Sequence, residues 1–195
     1  INRIPYPGIL QYKGLDPIES TNKPMLAVEK DILNDAINPN NLEYLKLCIK
    51  SIQKNSEFNH EIIVHNNGEK EPTNTFLSQN NIKFTQAAGN IGITGGVNSG
   101  AKKATTNFIV YAHDDFYFLP GWDTAWASEI KNLKHNSFYL SGTMVQNGQV
   151  NYDCGENIDT FDEKKLLKNN HKIIYHDFQG STWAPHIIHK DLWNK

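Results

Sequence analysis

Cysteine is nearly missing from this chain. Its 195 residues include only Cys48 and Cys154, far apart and without a CxxC spacing. That argues against a disulfide framework and against a cysteine-based structural zinc site. Cys48 lies in an apolar pattern of helical spacing and reads as a buried thiol. No apolar run approaches the ~20 residues needed to span a bilayer, and no h-region marks a signal peptide. Asparagine is abundant, yet no Asn-x-Ser/Thr sequon occurs. These absences lead to the expectation of a cytoplasmic protein without a transmembrane segment, peripheral contact with a membrane staying compatible. The chain opens on Ile1 instead of Met, so a processed chain or a fragment is expected.

A basic excess is lacking as well. Nineteen Lys and Arg face 21 Asp and Glu, a formal net charge of -2, which speaks against nucleic acid as the partner. Lys102-Lys103 and Lys164-Lys165 read as solvated helix faces. Hydrophobic residues at 38% and charged residues at 21% describe ordinary globular material, long enough for one domain with a sizeable core.

The first 24 residues hold Pro5, Pro7, Gly8, Gly14, Pro17 and Pro24 without sustained periodicity, an irregular lead-in to a domain over 25–195. Met25-Leu26-Ala27-Val28 reads as a buried strand. Leu42, Leu45, Cys48/Ile49 and Ile52 recur at helical spacing. Glu61-Ile62-Ile63-Val64-His65 reads as a second strand, closed by the turn signal Asn66-Asn67-Gly68. A short helix over 72–79 and a strand over 82–85 follow. Val97, Ala101 and Ala104 mark a helix entered through glycine-rich residues 92–100. Residues 107–112 form the strongest strand signal. Beyond Pro120-Gly121, Trp122, Ala125/Trp126, Ile130 and Leu133 predict another amphipathic helix. Alternating strands and helices imply a mainly parallel sheet with helices on both faces. After Ser137 the pattern loosens into strands over 138–141 and 172–175, read as a mixed sheet edge or an acceptor-side region.

In open α/β sheets, ligands bind beyond the carboxyl ends of the strands. Two such ends are polar here: His65-Asn66-Asn67-Gly68, and His113-Asp114-Asp115. Adjacent carboxylates beside a buried strand repel each other near a low-dielectric core. A divalent cation relieves that repulsion, and carboxylate oxygens suit Mg²⁺ or Mn²⁺. A solvated Asp-Asp turn is the competing reading of the pair taken alone. His113-Asp114 does not suit a metal-dependent phosphohydrolase, whose ligands lie on helices with further His and Asp partners. The run Gly89-Asn90-Ile91-Gly92-Ile93-Thr94-Gly95-Gly96-Val97-Asn98-Ser99-Gly100 narrowly misses a phosphate-binding P-loop, because Ala101 stands where lysine is required. It reads as a tight turn or a close backbone approach to a ligand.

Taken in order, several pieces resemble family 2 glycosyltransferases of GT-A fold. They are Leu47-Cys48-Ile49-Lys50-Ser51-Ile52, Glu61-Ile62-Ile63-Val64-His65-Asn66-Asn67-Gly68, Asn90-Ile91-Gly92 and Gly96-Val97-Asn98-Ser99-Gly100-Ala101. Ala104, Ile109-Val110-Tyr111-Ala112-His113-Asp114-Asp115 and Pro120-Gly121-Trp122 complete the series. The resemblance implies an α/β, Rossmann-like GT-A domain that moves a sugar from a nucleoside diphosphate sugar to a hydroxyl of a glycan or other acceptor, with inversion. It implies Mn²⁺ or Mg²⁺ on Asp115, with Asp114 contacting the ribose or assisting the metal. Asn66 matches a base-reading aspartate, so the base preference is open. Asn90, Gly92 and Asn98 match residues on the same nucleotide side, and His186 matches an additional metal ligand in some members.

Departures limit the carry-over. Glu29-Lys30-Asp31 stands where the family has a base-wrapping segment. The stretch from Gly180 to His189-Lys190 resembles the approach to a motif carrying the catalytic base, so that base is expected beyond Lys195, Asp191 being a poor substitute. Trp183 reads equally as a sugar-pocket wall or as core. The alternatives are a non-catalytic or truncated nucleotide- or carbohydrate-binding domain, and a sugar-phosphate nucleotidyltransferase. The second is disfavoured because no glycine-rich basic loop follows the first strand. Surface polysaccharide assembly is expected by resemblance alone.

Overall fold

A computed structural model describes residues 24–30, 41–67, 71–142, 145, 152–170 and 185–195. The expected strand over 172–175, the lead-in up to residue 23, Gly180 and Trp183 lie outside the described residues. Strand β1 (Pro24–Lys30) leads to α1 (Asn41–Asn55), β2 (Glu61–Asn66), α2 (Thr73–Gln79) and β3 (Lys83–Gln86). Then come α3 (Gly92–Ala101), β4 (Phe108–His113), α4 (Trp122–Leu133) and β5 (Tyr139–Ser141). The order closes with α5 (Glu163–Asn169), β6 (His186–His189) and α6 (Lys190–Trp193).

One six-stranded sheet holds these strands in the order β3-β2-β1-β4-β6-β5. The first four are parallel, while β6 runs antiparallel to both β4 and β5. The looser pattern after Ser137 is therefore the mixed edge that it suggested. The strongest strand reaches one residue further than its apolar run, because the backbone of His113 still pairs with Glu29.

Strand alternation sends neighbouring residues to opposite faces. Val64, Val110, Ala112 and Ile187 meet Leu45, Cys48, Ile52, Leu77 and Trp126 from α1, α2 and α4. Ile63 and Ile109 meet Ala101 and Ala104 on the other face, with Ile188 and Trp193 alongside. Helices thus cover both faces, as the alternation implies. Leu45, Ile63 and Ile109 are wholly buried, and each such side chain contributes roughly 1.5–3 kcal/mol. Lys102-Lys103 and Lys164-Lys165 are exposed, as expected of solvated faces.

Two local choices shape the entries to helices. Gly121 precedes α4 at φ 80°, a left-handed conformation that a side chain would strain. Asp162 caps α5, its carboxylate accepting from the backbone N–H of Lys165 at 2.8 Å. Cys154 and Leu166 form a small third core with Tyr117, Leu119 and Phe161. It fastens residues 152–170 against the segment that follows Asp115.

Candidate functional site

The polar strand ends fall side by side. Glu29 of β1 is in register with His65 on one side and His113 on the other, and Lys30 is in register with Asn66. Neighbouring strands lie about 4.8 Å apart, so the ends of β2 and β4 are separated by about 10 Å. Asp114 and Asp115 follow β4 at once. Asp114 is only 2% exposed, while Asp115 faces solvent. One carboxylate is held in the fold and the next is presented.

A single face of α1 grips this acidic turn. Cys48 Sγ donates to the His113 carbonyl at 3.6 Å. One turn on, Ser51 Oγ accepts from the Phe118 N–H at 2.9 Å and donates to the Cys48 carbonyl at 2.8 Å. Another turn on, Asn55 Nδ2 donates to the Phe118 carbonyl at 2.7 Å. Burial first, then the charges of Asp114 and Asp115, push the Cys48 thiol well above its ordinary range. Sequence reasoning missed Ser51 and Asn55. Their signal was the placing of polar residues three and seven after Cys48, on the apolar stripe of a helix.

Amides dominate the other pole. Asn67 is 1% exposed. Its Nδ2 donates to Asn90 Oδ1 at 3.0 Å, and its Oδ1 accepts from the Ile91 N–H at 2.7 Å. Asn90 Oδ1 also accepts from the Gly92 N–H at 2.7 Å. The entry to α3 is therefore tied to the end of β2, and Gly92, at φ 73°, makes the required left-handed turn. Asn66 is fully buried. Its Nδ2 donates to Asn74 Oδ1 at 2.8 Å. Its Oδ1 is buried with no hydrogen-bond partner among the described residues. His65 contacts Thr85 Oγ1 through Nδ1 at 2.8 Å, and burial holds its imidazole below the usual range. Asn98 lies on α3 with its side chain exposed.

The late segment divides in two. His186 opens β6 opposite Tyr111. It stacks on Tyr111 at 6.2 Å and on Tyr139 at 4.6 Å between ring centroids. Tyr111 Oη in turn meets His113 Nε2 at 2.6 Å. Among the described residues, no three His, Cys, Asp or Glu side chains form a group that could hold a metal. Asp191 lies at the other end of the sheet. β6 runs back along β4 until His189 faces Phe108, and Lys190 N–H donates to the Asn107 carbonyl at 2.7 Å. Six residues of β4 separate that edge from the acidic turn, about 17 Å of strand. His189 is occupied locally, its Nδ1 accepting from the Asp191 N–H at 3.2 Å.

Comparison with known proteins bears on the family and the fold. The profile of Glycosyl transferase family 2 matches residues 37–186. No curated protein matches the chain. Among solved structures, residues 1–349 of S. aureus TarS are similar with a TM-score of 0.51 and 18% identity, over 68% of this chain and 39% of that one. The same protein in complex with UDP-GlcNAc gives a TM-score of 0.52 and 17% identity, over 68% and 37%. Its UDP complex gives 0.52 and 17%, over 68% and 38%. The chain therefore spans less than two-fifths of those structures. At this identity the likeness bears on the fold, and that fold is GT-A.

Proposed function

Because this chain belongs to glycosyl transferase family 2, we propose that it transfers a sugar from a nucleoside diphosphate sugar to an acceptor hydroxyl, with inversion at the anomeric carbon. One observation carries the reading. The buried amides at the end of β2 and the Asp114-Asp115 pair at the end of β4 flank the same edge of β1. That is where open α/β sheets bind ligands. TarS, to which the fold is similar, has structures in complex with UDP and with UDP-GlcNAc, which supports a donor of this class.

Asp115, exposed at the strand end, is the residue to hold Mn²⁺ or Mg²⁺, and Asp114 orients it or meets the ribose. The donor set fits. Two hard carboxylates without a protein cage suit a cation whose other positions go to phosphate and water. When bound, such a cation offsets the charge of the departing nucleoside diphosphate. Asn67 and Asn90 keep the α3 entry beside the amide pole, and Gly92 lets its backbone approach the donor. The acceptor is a hydroxyl, of a glycan in the simplest case. Asp191, at the opposite ends of the strands, is not the base in this reading.

Calorimetric titration with UDP, GDP and dTDP tests the reading. Binding is expected to require Mn²⁺ or Mg²⁺ and to be lost in Asp115→Ala. Binding that ignores both the cation and the substitution overturns the metal assignment.

A further inference from the structure

Asp115 stands on a short connection whose two ends are held by different parts of the fold. Upstream, the Phe116 N–H donates to the His113 carbonyl at 3.4 Å, and the Phe116 ring packs edge-on against the His113 imidazole. That closes the acidic turn onto the end of β4. Downstream, Phe118 is buried and bonded to α1 through Ser51 and Asn55. Tyr117 lies between them and reaches a third partner. Its hydroxyl donates to Glu163 Oε1 at 2.7 Å, 46 positions further along the chain, and accepts from Asn55 Nδ2 at 3.2 Å. Lys54 Nζ donates to the same Glu163 oxygen at 3.1 Å. Glu163 opens α5, whose own footing is firm. The Asp162 N–H donates to the Cys154 carbonyl at 2.7 Å, and Phe161 packs on the Tyr117 ring at 5.2 Å between centroids. The Ile158 N–H donates to Tyr44 Oη at 3.0 Å. Residues 152–170 are therefore seated on both ends of α1, and meet the acidic connection through one hydroxyl.

We propose that Tyr117 and Glu163 are positioning residues, which latch the connection after Asp115 to α5 and so hold the acidic turn in the geometry that takes a divalent cation. Both act through the backbone that carries Asp115. The inference rests on the metal reading of Asp114 and Asp115 above and deepens it, assigning support of that turn to a segment outside the sheet. Two carboxylates without a protein cage gain affinity when their backbone is already fixed, because that freedom is then not lost on binding. A hydroxyl donating to a carboxylate is a short, directional bond suited to the task.

The test is the Mn²⁺ affinity of the whole chain with UDP present, read from the paramagnetic resonance signal of free Mn²⁺, beside the melting temperature of each variant. Tyr117→Phe keeps the ring on Phe161 and removes the hydroxyl. It is expected to weaken Mn²⁺ binding by about threefold to tenfold, the range of one ordinary hydrogen bond. Glu163→Leu is expected to match it, and the double variant to lose no more than either single one, since both break the same contact. Glu163→Gln removes the same charge but keeps an oxygen, which its two donating neighbours Tyr117 and Lys54 hold in place. It is expected to keep the wild-type affinity. Glu163→Gln as weak as Glu163→Leu assigns the loss to charge and overturns the proposal. So do additive losses in the double variant, or a lowered melting temperature with Mn²⁺ affinity unchanged. Each of these leaves the metal reading in place so long as the wild type binds Mn²⁺ and Asp115→Ala does not. A wild type that binds no Mn²⁺ overturns both.

Discussion

Ser51 Oγ accepts the backbone N–H of Phe118 at 2.9 Å across 67 positions of sequence, inside the core. Through this bond α1 fixes the chain just after the acidic pair, and Asn55 holds the same residue's carbonyl. The acidic turn is thus positioned from below by α1. Ser51→Ala should leave a buried N–H unsatisfied at a cost of about 2 kcal/mol. In a chain of this size that corresponds to a fall in melting temperature of roughly 4–8 °C. An unchanged melting temperature would show that Ser51 does not secure the segment.

Asp123, at the start of α4, is buried and accepts from the Phe58 N–H at 2.9 Å. It also meets His60 Nε2 at 3.0 Å, with both side chains out of solvent. Replacing one member of such a pair strands the other. Asp123→Ala is expected to destabilise the chain by about 3 kcal/mol, and Asp123→Asn, which keeps an acceptor, by less. Urea-unfolding midpoints would distinguish the two.

Acid should loosen the tie between β2, β3 and the lead into β4. Burial opposes ionisation of Glu61, but hydrogen bonds from Lys83 and Thr105 outweigh it and hold the carboxyl below its ordinary range. Thr105 donates through its N–H at 3.0 Å and its hydroxyl at 2.8 Å. A depressed folded-state value means the unfolded chain binds the proton first. The contribution is therefore complete above the ordinary glutamate pKa of about 4.3 and fades as pH falls through the folded value. Melting temperatures of the wild type and Glu61→Gln between neutral pH and about pH 3 should converge on the acid side. Parallel curves would refute the assignment.

Both thiols should resist modification in the native state. Cys48 is fully buried and Cys154 nearly so, and burial is the first cause raising each pKa. An aromatic disulfide reagent is expected to label neither below the ordinary thiol range, and both once urea unfolds the chain. Rapid native labelling of Cys48 would mean that the acidic turn opens readily, because that turn lies directly over it.

The fold class was legible because burial leaves a periodic mark. Ile63 and Val64, or Ile109 and Val110, are apolar on both sides, as strands covered on two faces must be. The stripe through Leu45, Cys48 and Ile52 marks a helix. The acidic pair and the glycine-rich entry were visible too, since strand ends and left-handed turns constrain residue type locally. Ser51, Asn55 and Asp123 were not, because a polar side chain bonded across the core looks the same in sequence as one in a solvated turn.

Periodicity thus determined which segments are strands, which are helices, and that Asp114-Asp115 ends the most apolar strand. Only the tertiary structure decided that β1 lies between β2 and β4, which brings Asn66 and Asp114 to one edge although 48 positions separate them. It alone turned β6 antiparallel, stacking His186 on Tyr111 and sending Asp191 to the opposite ends of the strands. The reason is physical. Helix and strand formation answer to sterics and burial within a few residues. Strand order and side-chain partners follow instead from how distant segments close over a shared core, and no local pattern encodes that choice.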